Sequence, residues 1–231
     1  PYEAQIDIPN QIPRISPGST EIVTVSLLAT GSRTEDWTLS WDDSNLPSGW
    51  SIAPDGSQNN NPNLIPGIPQ NFDFSATVPE SALGDDNSFI VLTLSLDSDP
   101  SISFESILPI EVLRTRGLSI VGPSGLDNTN GFGRPGHVAT AWMMVENLGN
   151  AYETTTSIDW TAPSWGGNPT LHESSGTEIF SLNLAPGEQK ELFVNLNTPS
   201  SIQFGSVTTT TMTMCICLLY TSDAADETER G

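Results

Sequence analysis

The sequence predicts an all-β protein built as two tandem β-sandwiches, the second lacking its final strand. Three observations carry this. Apolar residues alternate with polar ones in short runs separated by Gly, Pro, Asn and Asp, and helical periodicity is almost absent. The second half of the chain repeats the first. The repeat then breaks off before its last strand.

The strands are legible one by one. "EIVTVSLL" places Val23, Val25 and Leu27 on one face. "NFDFSATV" does the same with Phe72, Phe74, Ala76 and Val78, and "FIVLTLSL" with Ile90, Leu92, Leu94 and Leu96. Successive side chains of a strand point to opposite faces, so each run offers one apolar face to a core.

The repeat follows the same elements. "SPGSTEIVTVSLLATGS" is echoed by "RPGHVATAWMMVENLGN", with Pro17 mapping to Pro135 and Gly31 to Gly149, shifts of 118. "WTLSW" is echoed by "TSIDW", with Trp41 mapping to Trp160, a shift of 119. "LIPGIPQNFDFSATVP" is echoed by "LAPGEQKELFVNLNTP", with Pro66 mapping to Pro186 and Pro79 to Pro199, shifts of 120. Two copies read as tandem domains, not as a solenoid. The boundary falls near "LRTRG", giving domains 1–113 and 114–216. Each copy has the size and strand rhythm of an immunoglobulin-like sandwich.

The motifs carry a further likeness. A Pro-Gly turn precedes a strand, a "TG" or "LGN" turn follows it, then come "LPSGW" and an "L-x-PG" segment before a strand ending in Pro. This pattern resembles the CARDB/NEW3-type immunoglobulin-like modules of prokaryotic cell-surface and secreted proteins, over nearly all of residues 1–216. The resemblance implies a non-catalytic role: spacer, adhesion unit, or accessory to an exported enzyme. It implies an extracellular or cell-surface location, with partners among domains of the same polypeptide, other surface proteins or glycans. The chain starts at Pro1 and reads as a piece of a longer polypeptide.

The end of the chain departs from the repeat. By the shift of 120, Ile90, Leu92, Leu94 and Leu96 correspond to Thr210, Met212, Met214 and Ile216. The first copy continues into a final strand around "SILPIEVL", and the second has no echo of it. From Cys217 to Glu227, "CLLYTSDAADE" resembles the translation of a transposase-type sequencing-library adaptor. Residues 217–231 are therefore expected to be a non-native tail, and the natural sequence to supply a strand like "ILPIEV" after Ile216. A sandwich without that strand presents an unpaired edge.

Charge excludes several roles. In 231 residues there are 28 Asp and Glu against 7 Lys and Arg, a net charge of −21. Removing Asp223, Asp226, Glu227, Glu229 and Arg230 with the tail leaves 24 acids, 6 bases and a net of −18. Nothing here neutralises a run of phosphates or an anionic membrane surface. No apolar run is long enough to span a bilayer. There is no G-x-S-x-G elbow, H-E-x-x-H or P-loop, and the two histidines, His137 and His172, stand in different segments. The chain is read as not an enzyme.

The candidate sites are few. Trp41 and Trp160 share parity with Leu39 and Ile158 and are expected in the two cores. Trp50 and Trp165 lie in Pro/Gly/Ser turns, where an indole either caps the sandwich or stacks on a sugar ring. By the repeat, Ala141, Met143 and Val145 face inward, so Trp142, Met144 and Phe193 replace Thr24, Ser26 and Asp73 on the outer face. They form an apolar patch of the kind that marks a partner surface, unless a one-residue register change exchanges the faces. Asp127, Asn128 and Asn130 in "GLDNTNGFG" offer oxygen ligands suited to calcium, as do Asp85, Asp86, Asp97 and Asp99, although such loops are more often turns. No other cofactor is implied. Cys215 and Cys217 have no supporting ligand set for a metal or redox site.

Overall fold

The computed structural model describes residues 2–216, which contain strands and turns and no helix. The chain divides into two compact units between Thr115 and Arg116. The fold is all-β, two immunoglobulin-like sandwiches, and among the described residues the second has no closing strand.

In the first unit, β1 (Ala4–Asp7), β2 (Arg14–Ile15), β3 (Thr20–Ala29), β4 (Glu35–Asp42), β5 (Ser51–Pro54), β6 (Asn63–Leu64), β7 (Gln70–Thr77), β8 (Asn87–Leu96) and β9 (Asp99–Val112) form two sheets. Their orders are β1-β3-β7-β5 and β2-β9-β8-β4-β6. This is the division of an immunoglobulin-like sandwich, with an extra edge strand on each side of the second sheet. Pro9 and Pro13 bracket the passage from β1 to β2, where the chain changes sheets, because proline cannot donate to a ladder. The alternation does what the sequence requires. Val23, Val25, Leu27, Phe72, Phe74, Ala76, Ile90, Leu92, Leu94 and Leu96 are all buried in one core with Leu108, Ile110 and Val112 of β9.

The Pro-Gly motifs tie the strand pair β3–β7 at both ends. Gly18 (φ 73°) and Gly67 (φ 75°) occupy the left-handed position of a type II turn that proline initiates. The Gly18 amide donates to Val78 O at 3.1 Å, past the end of β7, and the Gly67 amide to Ala29 O at 3.0 Å, at the end of β3. In the second unit Gly136 donates to Thr198 O at 3.1 Å and Gly187 to Asn147 O at 2.9 Å. One device therefore sets the register in both copies.

The second unit has β10 (Leu118–Val121), β11 (Val138–Asn147), β12 (Glu153–Trp160), β13 (Thr170–Glu173), β14 (Asn183–Leu184), β15 (Gln189–Asn197) and β16 (Met212–Ile216). Its sheets are β10-β11-β15-β13 and β14-β12-β16. The first matches β1-β3-β7-β5 strand for strand. The second matches β6-β4-β8, and nothing among the described residues stands where β9 and β2 stand in the first unit.

The changing repeat shift has a structural cause. Trp160 pairs with Met212 and Ile158 with Met214, as Trp41 pairs with Leu92 and Leu39 with Leu94. A bulge between Thr155 and Ser157 then inserts one residue into β12. Thr155 opposes Ile216 as Trp37 opposes Leu96, and the shift there is 118, not 119.

The tryptophans need one correction. Trp37 is the indole fully enclosed in the first core, at 1% exposure. Trp41 packs against that core from its margin, edge-on to Phe74 at 5.7 Å. Trp160 is likewise at the margin of the second core. Trp37, Leu39 and Trp41 share one face, and Trp41 is the last apolar residue of β4.

Candidate functional site

The outer face of β10-β11-β15-β13 is the surface most unlike its counterpart in the first unit. On the equivalent face of that unit, Thr24 and Asp73 are cross-strand partners, and the threonine hydroxyl donates to the carboxylate at 2.6 Å. Thr20 and Thr77 make a second polar pair at 2.7 Å. Cross-strand pairs of this kind are the unit of sheet stabilisation and suit a solvated face.

In the second unit Trp142 and Phe193 take the places of Thr24 and Asp73, and they are cross-strand partners. Met143 and Val145 are buried, so β11 keeps the parity of β3 and the faces are not exchanged. Trp142, Met144 and Phe193 are half-buried on the outer face. Val121 lies opposite Met144, and His172 opposite Phe193, which extends the face across all four strands. Polar groups frame it. The Trp142 indole N–H donates to Glu191, and His172 is held by Thr170 at 2.9 Å and the Gly176 carbonyl at 3.1 Å. Thr140 donates to Asn195 at 2.8 Å in the next row.

Phe132 joins this face, and sequence reasoning missed it. It bridges to Thr140, so it shares the outward side with Trp142, and it is 87% exposed. The signal was the flanking pair of glycines. A Cβ on Gly131 would lie 2.9 Å from Thr140 O, and one on Gly133 would lie 2.8 Å from Ala139. Only glycine lets this loop press flat on β11, and that contact turns Phe132 outward.

The other candidates are placed elsewhere. Asp127, Asn128 and Asn130 are exposed in the loop after β10, with the Asn128 carbonyl over Gly122, where a Cβ would meet it at 2.0 Å. Among the described residues, no three His, Cys, Asp or Glu come together as a metal-binding group. Asp85 pairs with Arg114 at 2.5 Å, Asp86 accepts from the Leu83 amide at 2.9 Å, Asp97 accepts from Thr38 at 2.7 Å, and Asp99 caps Ser101. These four acids serve turns and strand ends. The Ser44 amide and hydroxyl hold Asp42 below the usual carboxylate range, again within a turn.

Trp50 packs against the first core. Trp165 is half-buried, and its indole N–H is buried with no hydrogen-bond partner. Cys215 is an exposed free thiol on β16. Cys217 and the adaptor-like tail, 217–231, lie outside the described residues. An open cleft of about 610 Å³ runs between β3 and the passage from β1 to β2, with Ile8, Ile12 and Ile22 on its walls and no His or Cys in its lining. Among the described residues, no helix is long and apolar enough to cross a membrane.

No protein-family model and no curated protein matches the chain. Among solved structures it aligns with the secreted serine protease VesC from Vibrio cholerae at 10% identity and a TM-score of 0.34, over 93% of this chain and 50% of that one. It aligns with the E. coli chaperone DraB at 10% identity and 0.31, over 87% and 88%. It also aligns with the C-terminal domain of the Streptococcus pyogenes antigen I/II-family protein AspA at 9% and 0.29, over 93% and 97%. The chain spans half the length of VesC. Likeness at this level carries no argument about activity or partners.

Proposed function

We propose that the chain is a pair of non-catalytic modules from an exported prokaryotic surface protein, of the CARDB/NEW3 type, acting as spacer and adhesion unit. The outer face of β11 and β15 is its protein-binding surface. One observation carries this reading. At the same cross-strand position of the same fold, one copy places a hydrogen-bonded Thr24–Asp73 pair and the other a Trp142–Phe193 pair. Core packing does not account for it, because both pairs face away from the core. Large aromatics on a half-exposed face, framed by polar groups, are the composition of interface centres. The net charge of −21 favours partners that carry basic groups around an apolar centre.

A photo-crosslinking residue at position 142, with the chain displayed on a bacterial surface, tests this. Crosslinks to polypeptide are expected from position 142 and not from position 24. They should be lost in the double variant Trp142→Thr, Phe193→Asp, which rebuilds the polar pair of the first unit. A glycan array provides the opposing outcome. Binding to a sugar that is abolished by Trp50→Ala or Trp165→Ala would replace this reading with that of carbohydrate-binding accessory domains.

A further inference from the structure

The polar residues set among the aromatics of the β10-β11-β15-β13 face narrow what its partner must carry. Register arranges the outward residues in rows. Trp142, Phe193 and His172 form one row. Val121, Met144 and Glu191 form the next, and Ser119, Glu146 and Gln189 the one after. Thr140, Asn195 and Thr170 lie on the other side of the aromatic row, with Phe132 bridged to Thr140. Two carboxylates, Glu146 and Glu191, therefore stand in these rows. Among the described residues, no lysine or arginine points outward from the four strands. Lys190 has the opposite parity and is paired with Glu173 at 2.6 Å. Arg134 stands in the turn at the end of β15, where its carbonyl accepts from Thr198. Phe193 is five residues back from Thr198, about 16 Å of strand.

Glu191 is the informative group. It is exposed, and it lies beside a tryptophan ring with no base on its face. Its Oε1 accepts the Trp142 indole N–H, which leaves Oε2 for another donor. That bond joins the ring and the carboxylate into one unit, an aromatic face with an anion at its edge. The first unit has no counterpart, because Thr24 and Asn71 stand at the two positions. A guanidinium uses both halves of such a unit. Its plane stacks on the electron-rich face of an indole, and its N–H fork reaches the carboxylate. A lysine ammonium is a compact point charge without that planar fork. A neutral apolar side chain laid here would desolvate Glu191 without pairing it, which is costly. Met144, Val121 and Phe132 around the ring suit the methylene stem of an arginine and its apolar neighbours.

We infer that this face takes an arginine side chain of the partner polypeptide, stacked on Trp142 beside Phe193 and paired with Glu191. The inference rests on reading the face as the protein-binding surface, and it names the group that the surface takes. Charge complementarity carries the choice of occupant: the face offers carboxylates and aromatic rings, and its strands supply no cation of their own.

The probe is the peptide Gly-Leu-Arg-Leu-Gly, titrated into the full chain while the indole N–H resonance of Trp142 is followed by NMR. Two further peptides replace the arginine by lysine or by citrulline, which keeps the shape and removes the charge. A saturable shift of the Trp142 resonance is expected with arginine, at least about fivefold weaker with citrulline, with lysine between the two. Added salt should weaken the arginine peptide and leave the citrulline peptide unchanged. Glu191→Gln should bring the arginine peptide down to the affinity of the citrulline peptide, because the amide keeps an acceptor for the indole and loses the charge. No shift at Trp142, equal binding of the arginine and citrulline peptides, or an unchanged affinity in Glu191→Gln would overturn the inference. A photo-crosslinking residue at position 144, with Trp142 kept, separates it from the reading beneath it. Crosslinks to polypeptide that persist undiminished in Glu191→Gln would overturn the arginine site alone. No crosslinks from position 142 or 144 would remove the protein-binding surface as well.

Discussion

Asn147→Ala is expected to lower the stability of the second unit by about 3 kcal/mol and leave the first unchanged. Asn147 is fully buried at the end of β11. Its side-chain amide donates to Ala151 O at 2.8 Å and to Leu184 O at 3.0 Å, and its carbonyl accepts from the Gly149 amide at 2.8 Å. One side chain thus closes the "LGN" turn and ties it to β14. Removing it strands two carbonyls and an amide, and each unsatisfied buried group costs about 1–3 kcal/mol. The sum is moderated because the turn lies near the surface and water reaches part of it. The corresponding residue of the first unit is Ala29, so the effect belongs to one copy. Urea unfolding followed separately in each unit by hydrogen exchange measures it. Asn147→Asp should be nearly as damaging, because a carboxylate cannot donate to the two carbonyls.

Trp37→Ala should cost the first unit roughly 3–5 kcal/mol, the range for truncating a large aromatic in a core. Trp37 is enclosed between the sheets, with its ring 6.0 Å from Phe104 of β9. Its indole N–H is buried without a hydrogen-bond partner. That detail sets the sign of a second substitution. Trp37→Phe loses part of the packing but also removes an unpaired donor, so it should cost much less than Trp37→Ala. Chemical denaturation of the three proteins decides the order. A Phe variant as damaged as the Ala variant would mean that the indole N–H is satisfied.

Much of this architecture was legible because a strand's period is two. The faces of β3, β7 and β8 follow from alternation alone, since each side chain has only two directions to point. The repeat added more than alternation could. It aligned Trp142 with Thr24 and Phe193 with Asp73, and the structure pairs them across β11 and β15 as it pairs the threonine and aspartate across β3 and β7. What stayed hidden depends on distance in space. The bulge at Thr155/Ser157 appears in the sequence only as a shift that changes from 118 to 119. Trp37 rather than Trp41 is the enclosed indole of the first core, although both share one face, because parity gives the side a residue faces and not the depth of its burial. Phe132 was overlooked because a loop has no period, and its outward position comes from two glycines packed on a neighbouring strand.

The central claim is that, among the described residues, two copies of one sandwich differ by a closing strand, so that β8 is an interior strand and β16 an edge. Amide hydrogen exchange, read residue by residue, tests it. An interior strand has every amide bonded to one neighbour or the other, whereas an edge strand leaves alternate amides to solvent. Uniform slow exchange is predicted over Val91–Leu96, where β8 has a neighbour on both sides. Alternating fast and slow exchange is predicted over Met212–Ile216, with fast exchange at Val207 and Thr209. Uniform protection of Met212–Ile216, equal to that of β8, would contradict the account.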